Sequence, residues 1–209
     1  MKSKLLVITT ALIGCTFIAG CMLINRKIEL EYVPIGAKES NSLGDLYFSK
    51  LIDARADKGR IGALKHGVLG TDTANVQTDQ DVTIWISKAI SSELANIGYS
   101  ITIVDANKID VANDNLMSIP VVSGVINKVF AEPIIGVFVT DVVGVIQISL
   151  EVSMNGKVQK KNYSASEKVP TFEGAMIGNY FPAGAYKDSL EKTLQTLLIQ
   201  IKNDFKNMR

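Results

Sequence analysis

The chain has 209 residues, with 22 lysines and arginines against 21 aspartates and glutamates, so its net charge is close to zero. This length suits one domain with a sizeable core, and the balanced charge gives no basic excess for binding nucleic acid. Both cysteines precede residue 22 and the chain has one histidine. The remainder therefore offers no internal disulfide and no thiolate metal site, and we expect neither a metal nor another cofactor.

The first twenty residues have the layout of a secretory signal peptide. Two lysines precede an apolar run at residues 5–19, and the small residues Ala19 and Gly20 end it. The run is too short for a membrane-spanning helix, which needs about 20 apolar residues. The segment Phe17–Cys21 matches a bacterial lipobox, in which the cysteine becomes the new N-terminus and carries lipid.

Two cysteines compete as the lipidation site. Cleavage before Cys15 would leave an apolar mature N-terminus at residues 16–20, where a polar tether is expected, so we favour Cys21. Several acyl chains on one cysteine hold a protein firmly on a membrane. Because Met22 is not the aspartate that retains lipoproteins in the inner membrane of enteric bacteria, we expect the outer membrane, with the domain facing the periplasm. The chain then divides into a signal peptide (1–20), a tether (21–27) and one domain (28–209).

Two strands are predicted at the start of this domain. Alternating apolar and acidic residues at 28–33 predict a half-buried strand, and residues 46–52 predict a second strand after a loop at 35–44. Residues 61–77 contain glycines without phosphate-binding spacing and predict a loop. His66 in this loop is expected to be a surface residue, because no nucleophile motif accompanies it.

The charged segment at residues 53–60 is the first candidate binding site. Its dense mixture of acids and bases has two interpretations. In one, Arg55, Asp57 and Arg60 form a recognition loop for anionic groups on lipids or glycans. In the other, which the pattern favours, the segment is a solvated turn whose charges pair with one another.

Residues 78–98 predict an amphipathic helix. Thr78 is expected to cap its N-terminus and Gly98 to end it. Trp85 belongs to its apolar face, so we favour a core position for this side chain over a sugar-stacking role. The apolar face, with spacings of three and four, consists of Val82, Trp85, Ile86, Ala89, Ile90, Leu94 and Ile97.

Strands are predicted from residue 99 to residue 168. Residues 99–104 and 120–130 are the first two, separated by a polar loop. The apolar run 134–146 is rich in β-branched residues and contains Asp141, so we interpret it as strand rather than membrane span. The alternative is a hairpin that contacts a membrane or a partner through Phe138 and Asp141.

The dipeptide Asn155-Gly156 gives the strongest hairpin signal in the chain. A two-residue turn places Glu151 opposite Lys160. The same register puts Lys157 and Lys161 on the apolar side of the preceding strand. Either these lysines extend past the sheet edge, or a bulge shifts the register.

Residues 169–184 predict a loop, and an amphipathic helix follows from about residue 185. Phe172, Tyr180 and Phe181 form a candidate binding rim in the loop, although packing at the edge of the core is favoured. These elements predict an α+β two-layer sandwich, a mostly antiparallel sheet with both helices on one face. The buried stripe of the last helix is expected to contain Tyr186, Leu190, Leu194, Leu197, Leu198, Ile201 and Phe205.

Three features together resemble the YajG-type lipoproteins of Gram-negative bacteria. They are the lipobox, the 78–98 helix leading into Gly98-Tyr99, and the segment Lys161–Ser166 ahead of a long C-terminal helix. The segments 134–146 and 171–184 depart from the resemblance. Because YajG-type proteins are envelope lipoproteins of unknown function, the resemblance implies a location and no activity.

We expect a non-enzymatic binding or structural module of the cell envelope, attached to the membrane by its lipid and binding an envelope protein or a glycan. The sequence contains neither a GxSxG nor an HExxH motif. One alternative is an accessory subunit of an envelope transport or assembly complex that makes contact through residues 134–146. The other is a peptidoglycan-acting enzyme with a carboxylate pair among Asp53, Asp57 and Asp141.

Overall fold

The computed structural model describes residues 24–65, 71–104, 119–135, 140–171 and 182–208. These residues contain strands and two helices, so the predicted α+β class is confirmed. The helices are α1 (Val82–Asn96) and α2 (Ala183–Lys206). The strands are β1 (Arg26–Lys27), β2 (Gly44–Ser49), β3 (Ile52–Asp53), β4 (Gly62–Lys65), β5 (Asp72–Gln77), β6 (Tyr99–Val104), β7 (Val121–Ile135), β8 (Thr140–Met154) and β9 (Lys157–Thr171).

The long strands β7, β8 and β9 form an antiparallel meander, and the short strands join its β7 side. Along β7 the neighbours are in turn β2, β3 and β4, each parallel to β7. Beyond them, β6 lies parallel to β2, β5 antiparallel to β4, and β1 parallel to β5. The expected antiparallel pairing is confirmed for the long strands and wrong for most short ones. Short apolar runs carry no signal for strand direction, which depends on how the intervening chain crosses over.

The β8–β9 hairpin has the register that the Asn-Gly signal predicts. Asn155 and Gly156 have φ angles of 52° and 72°, as a type I′ turn requires. Glu151 lies opposite Lys160, and their side chains form an ion pair of 2.8 Å. The pairing runs to Thr171 without a shift, so the alternative of a bulge is wrong.

Strand β7 contains a bulge at Asn127. Its pairing with β8 shifts between Ile126 and Lys128, which leaves Asn127 as an extra residue. Before the bulge the fully buried positions include Val122 and Ile126, and after it they include Val129 and Ala131. The side chains buried on the inner side are therefore at even-numbered positions before the bulge and at odd-numbered positions after it.

Helix α1 begins one turn later than predicted. Asp81, not Thr78, is the N-cap, and its Oδ1 atom accepts hydrogen bonds from the amides of Thr83 (2.8 Å) and Ile84 (3.4 Å). Gly98, with φ +108°, follows the helix as expected. All seven residues of the predicted apolar face are buried, including Trp85.

Helix α2 packs closely on β8 and β9. An added Cβ atom at Gly144 would lie 2.7 Å from the carbonyl oxygen of Ser189 and 2.8 Å from Oγ1 of Thr193, so only glycine permits this approach. All seven residues of the predicted stripe of α2 are buried. We call the face of the long strands that carries Gly144 and Tyr163 the inner face, and the opposite one the outer face. Among the described residues, no helix combines the length and the apolar composition that crossing a bilayer would require.

Three predicted segments differ from the structure. The predicted strand 46–52 is divided into β2, which ends at Ser49, and β3, which begins at Ile52. Residues 61–77 contain the strands β4 and β5, where a loop was expected. Residues 28–33 alternate in burial as expected, with Ile28 and Leu30 buried, yet only the preceding pair Arg26–Lys27 belongs to the sheet.

Candidate binding surface

The charged loop (Asp53–Arg60) connects β3 to β4 and is folded around Arg55. Arg55 is 8% exposed, and its guanidinium donates to both carboxylate oxygens of Asp53, at 3.0 and 2.9 Å. It also donates to the carbonyl oxygen of Arg60 at 3.3 Å. The hydrogen bond from Arg55 lowers the pKa of Asp53. Arg55 therefore organises the loop, and this carboxylate is poorly suited to donate a proton in catalysis.

Arg60 attaches the end of this loop to the sheet. It donates to Asp57 at 2.8 Å and to Asp72 of β5 at 3.0 Å, and its guanidinium lies 5.4 Å from the ring centre of Phe130 on β7. The hydrogen bonds with Asp72 and Asp57 raise the pKa of Arg60. Next to it on the same face, Lys65 pairs with Glu132. The charges of the loop thus pair with one another and with β5, while Asp57 and Arg60 keep contact with solvent.

The outer face of the long strands carries both polar and apolar side chains. At its centre Ser149 accepts from Nδ2 of Asn127 at 2.9 Å and donates to Oδ1 of Asn162 at 2.7 Å. We call a set of residues paired across β7, β8 and β9 a rung. Towards the β7–β8 connection the outer-face rungs contain more apolar side chains, and they are Phe130–Val145–Ser166, Glu132–Val143–Lys168 and Ile134–Asp141–Pro170.

Two of the sequence-predicted candidates, Asp141 and Arg60, lie towards this end of the sheet. Asp141 is half-buried on the outer face, opposite Ile134, which is exposed. The segment that contains Phe138 joins Ile135 to Thr140, and Phe172 directly follows Thr171, which pairs with Thr140. Arg60 reaches the same region through Phe130. Outside the described residues lie Phe138, Phe172, Tyr180, Phe181, His66, Cys15 and Cys21.

The N-terminal segment (Ile28–Glu39) crosses both helices, and side chains satisfy much of its backbone. Three of its amides donate to side-chain oxygens at 2.6 Å. The Leu30 amide donates to Gln80, the Glu31 amide to Glu191, and the Ile35 amide to Glu93. These contacts replace the strand ladder that the alternating pattern predicted. The segment is therefore attached to the body of the domain from its first residues.

Glu93 of α1 is the centre of this attachment, and sequence reasoning missed it. Its carboxylate is 1% exposed and accepts hydrogen bonds of 2.6 Å from the Tyr32 hydroxyl, the Ile35 amide and the Lys202 ammonium. Burial alone would raise the pKa of Glu93, but these three donors outweigh it and leave the pKa below its usual value. Burial and the bond to Glu93 raise the pKa of Tyr32. The available signal was a glutamate between Ile90 and Leu94 on an apolar helix face.

Among the described residues, no three or more histidine, cysteine, aspartate or glutamate side chains are grouped so that they could hold a metal ion. Asp53, Asp57, Asp72 and Glu132 each pair with arginine or lysine. The chemistry that this surface supports is recognition by charge, hydrogen bonding and apolar contact.

No protein-family model and no curated protein matches the chain. Among solved structures, it is similar to a Xanthomonas campestris protein of the DUF330 family, with 12% identity, a TM-score of 0.49, and coverage of 89% of this chain and 99% of that chain. It is also similar to the hypothetical protein CT253 of Chlamydia trachomatis, with 9% identity, a TM-score of 0.43, and coverage of 77% and 96%. For lipoprotein GNA1162 of Neisseria meningitidis, the identity is 13%, the TM-score 0.29, and the coverage 78% and 99%. At these identities and TM-scores we take no function from these structures, and the YajG-type resemblance stays a prediction.

Proposed function

We propose that this chain is a lipoprotein of the bacterial cell envelope, anchored through Cys21 at the periplasmic side of the outer membrane, whose domain binds an envelope protein or a glycan without catalysing a reaction. The observation that carries the proposal is the short path from the lipobox to the folded body. Strand β1 begins at Arg26, five residues after Cys21, and Ile28 is already buried.

This path limits how far the domain can move from the bilayer. A fully extended chain spans about 3.5 Å per residue, so the five residues from Cys21 to Arg26 reach about 17 Å. The N-terminal segment is then attached to both helices through Glu93 and Glu191. Such an anchor would hold the domain close to the headgroups, in reach of partners in or near the membrane.

The contact surface that we propose is the end of the sheet where the candidate residues converge. Asp57 and Arg60 supply charge there, and Asp141 and Ile134 lie two rungs beyond Phe130 on the same face. The segments that contain Phe138, Phe172, Tyr180 and Phe181 continue the chain from Ile135 and Thr171. Arg55 supports this surface by holding the loop rather than by contacting the partner. We also propose that both helices lie on one face in a two-layer sandwich, which the direct Glu93–Lys202 bond between α1 and α2 supports.

The anchor is tested by comparing two serine substitutions in cells labelled with palmitate. We expect Cys21→Ser to lose the label and to leave the membrane fraction, because the acylated thiol is gone. Cys15→Ser, the matched control, should keep both. A labelled, membrane-bound Cys21→Ser protein would overturn the assignment of the anchor.

The contact surface is tested by crosslinking in cells. A photo-reactive amino acid at Asp57 or Asp141 should yield a defined adduct, whereas the same amino acid at Asp188, exposed on α2, should not. Charge reversal by Arg60→Glu should reduce the adduct from Asp141. Equal adducts from all three positions would contradict the proposal that this end of the sheet is the contact surface.

A further inference from the structure

Strand β9 forms an edge of the sheet over fifteen residues. Among the described strands it pairs with β8 alone. In a hairpin closed by a two-residue turn, the residues that flank the turn, here Met154 and Lys157, exchange hydrogen bonds. The even-numbered residues of β9 therefore direct their N–H and C=O groups away from β8. The bond from Gln200 to the carbonyl oxygen of Ser164, at 3.4 Å, agrees with this orientation.

Helix α2 runs beside this edge. Thr196 donates to the Glu167 side chain at 2.8 Å, and Gln200 reaches Ser164 one turn later. Ile199 lies between these two contacts in the sequence and is 47% exposed. A strand added to β9 would thus compete with Gln200 for the Ser164 carbonyl, and it would have an apolar side chain of α2 nearby.

The charge of β9 indicates what kind of strand would fit. The strand carries one acid, Glu167, and four lysines, of which Lys160 and Lys168 share the outer face. Lys160 is paired with Glu151 of β8, and its side chain remains 62% exposed and within reach of a further acid. If two copies of the chain paired antiparallel about Ser164, Lys160 of each copy would lie opposite Lys168 of the other. Like charges in directly opposed positions destabilise a strand pair, so a second copy in this register is disfavoured. An acidic strand meets the same lysines favourably.

We propose that the edge of β9 left unpaired by the described strands accepts an extended acidic segment of a partner protein, which adds to the sheet as a further strand. This inference rests on the proposed function, since it names the partner of a binding module. Pro170 has no amide hydrogen at an outward position, so it limits the docking edge. The available stretch runs from Val158 to Lys168, which is about 34 Å long at 3.4 Å per residue.

The test uses the full-length protein in detergent and a designed peptide. The peptide has eleven residues of alternating threonine and valine, with two glutamates eight positions apart to match Lys160 and Lys168. Binding is measured by fluorescence anisotropy, and hydrogen–deuterium exchange locates it. We expect slower exchange of amides within residues 158–168, and at least tenfold weaker binding when both glutamates of the peptide are replaced by lysine.

A matched pair of variants separates strand addition from surface attraction. Ser166→Pro removes an outward amide hydrogen without breaking a bond to β8, and we expect it to weaken binding at least tenfold. Ser166→Ala keeps that amide and should bind within twofold of the parent. The double variant Lys160→Glu, Lys168→Glu should reverse the preference and bind the lysine peptide. This reversal remains informative if the proline variant does not fold.

Three results would each overturn the proposal. They are no binding of the acidic peptide, equal binding of the acidic and basic peptides, and protection from exchange outside β9. Because peptide binding is measured after solubilisation, the Cys21→Ser protein should bind like the parent. A failed anchor assignment and a failed edge assignment are therefore distinguishable.

Discussion

Replacing Glu93 by alanine is expected to lower the free energy of unfolding by about 3–5 kcal/mol, the usual cost of removing one partner of a buried ion pair. The carboxylate is 1% exposed and accepts three hydrogen bonds of 2.6 Å. Without it, the ammonium of Lys202, whose side chain is 14% exposed, keeps only the carbonyl oxygen of Ile35 at 3.0 Å. The Tyr32 hydroxyl and the Ile35 amide also lose their acceptor.

Urea unfolding followed by the fluorescence of Trp85, the only tryptophan, measures this effect. With a slope of about 2 kcal/mol per molar urea, the midpoint should fall by about 1.5–2.5 M. Glu191→Ala is the matched control, since it removes one acceptor from the Glu31 amide and should cost about 1 kcal/mol. The double variant Glu93→Leu, Lys202→Met should recover most of the loss, because it leaves no buried charge. A loss for Glu93→Ala no larger than that for Glu191→Ala would refute this reasoning.

Three further changes test other parts of the fold. Gly144→Val should lower the free energy of unfolding by about 1–3 kcal/mol, because it pushes α2 away from β8. Gly184→Ala, the control with open space around it, should leave Tm within about 2 °C of the parent. Equal Tm values for the two variants would contradict the close packing. Asp81→Ala should cost about 1 kcal/mol near neutral pH. Because folding lowers the pKa of Asp81 from 3.8 to about 2, mainly through the hydrogen bond from Lys50, this difference should begin to shrink below pH 4 and be lost as pH falls through 2. A pH-independent difference would contradict the role of its charge. Gly156→Val places a β-branched residue at φ +72° and should cost about 1–2 kcal/mol in urea unfolding, and an unchanged midpoint would argue against the type I′ turn.

The sequence predicted those elements whose signals are local. The apolar faces of both helices repeat every three or four residues, and each of the predicted residues is buried. Asn155-Gly156 specified both the turn and the register of its hairpin. These signals depend on neighbours in the chain, so no tertiary information was needed to read them.

The errors arose where tertiary contacts determine the structure. Strands β4 and β5 are short and rich in small residues, and they pair because β7 provides an edge for them. Residues 28–33 have a strand pattern, but the Leu30 amide bonds to Gln80, just before α1, and the Glu31 amide bonds to Glu191 of α2, both far along the sequence.

The sequence shows the mixed charge of residues 53–60 but not how these charges are arranged in space. The pairing of Arg60 with Asp72 and its position over Phe130 require strands distant in sequence to be adjacent. Glu93 and Lys202 are 109 residues apart, so neither residue alone identified the buried pair.

The extra residue at Asn127 determines where the hairpin of β7 and β8 can change in length. Deleting Asn127 itself would leave Ile126 followed directly by Lys128, so Val129 and Ala131 would still face α2 and the ladder with β8 would become regular. Deleting or inserting one residue elsewhere in these strands would turn the side chains on one side of the change to the opposite face, whereas a change of two residues preserves their orientation. Single-residue changes tolerated inside these strands should therefore be confined to the bulge, and other changes should come in pairs.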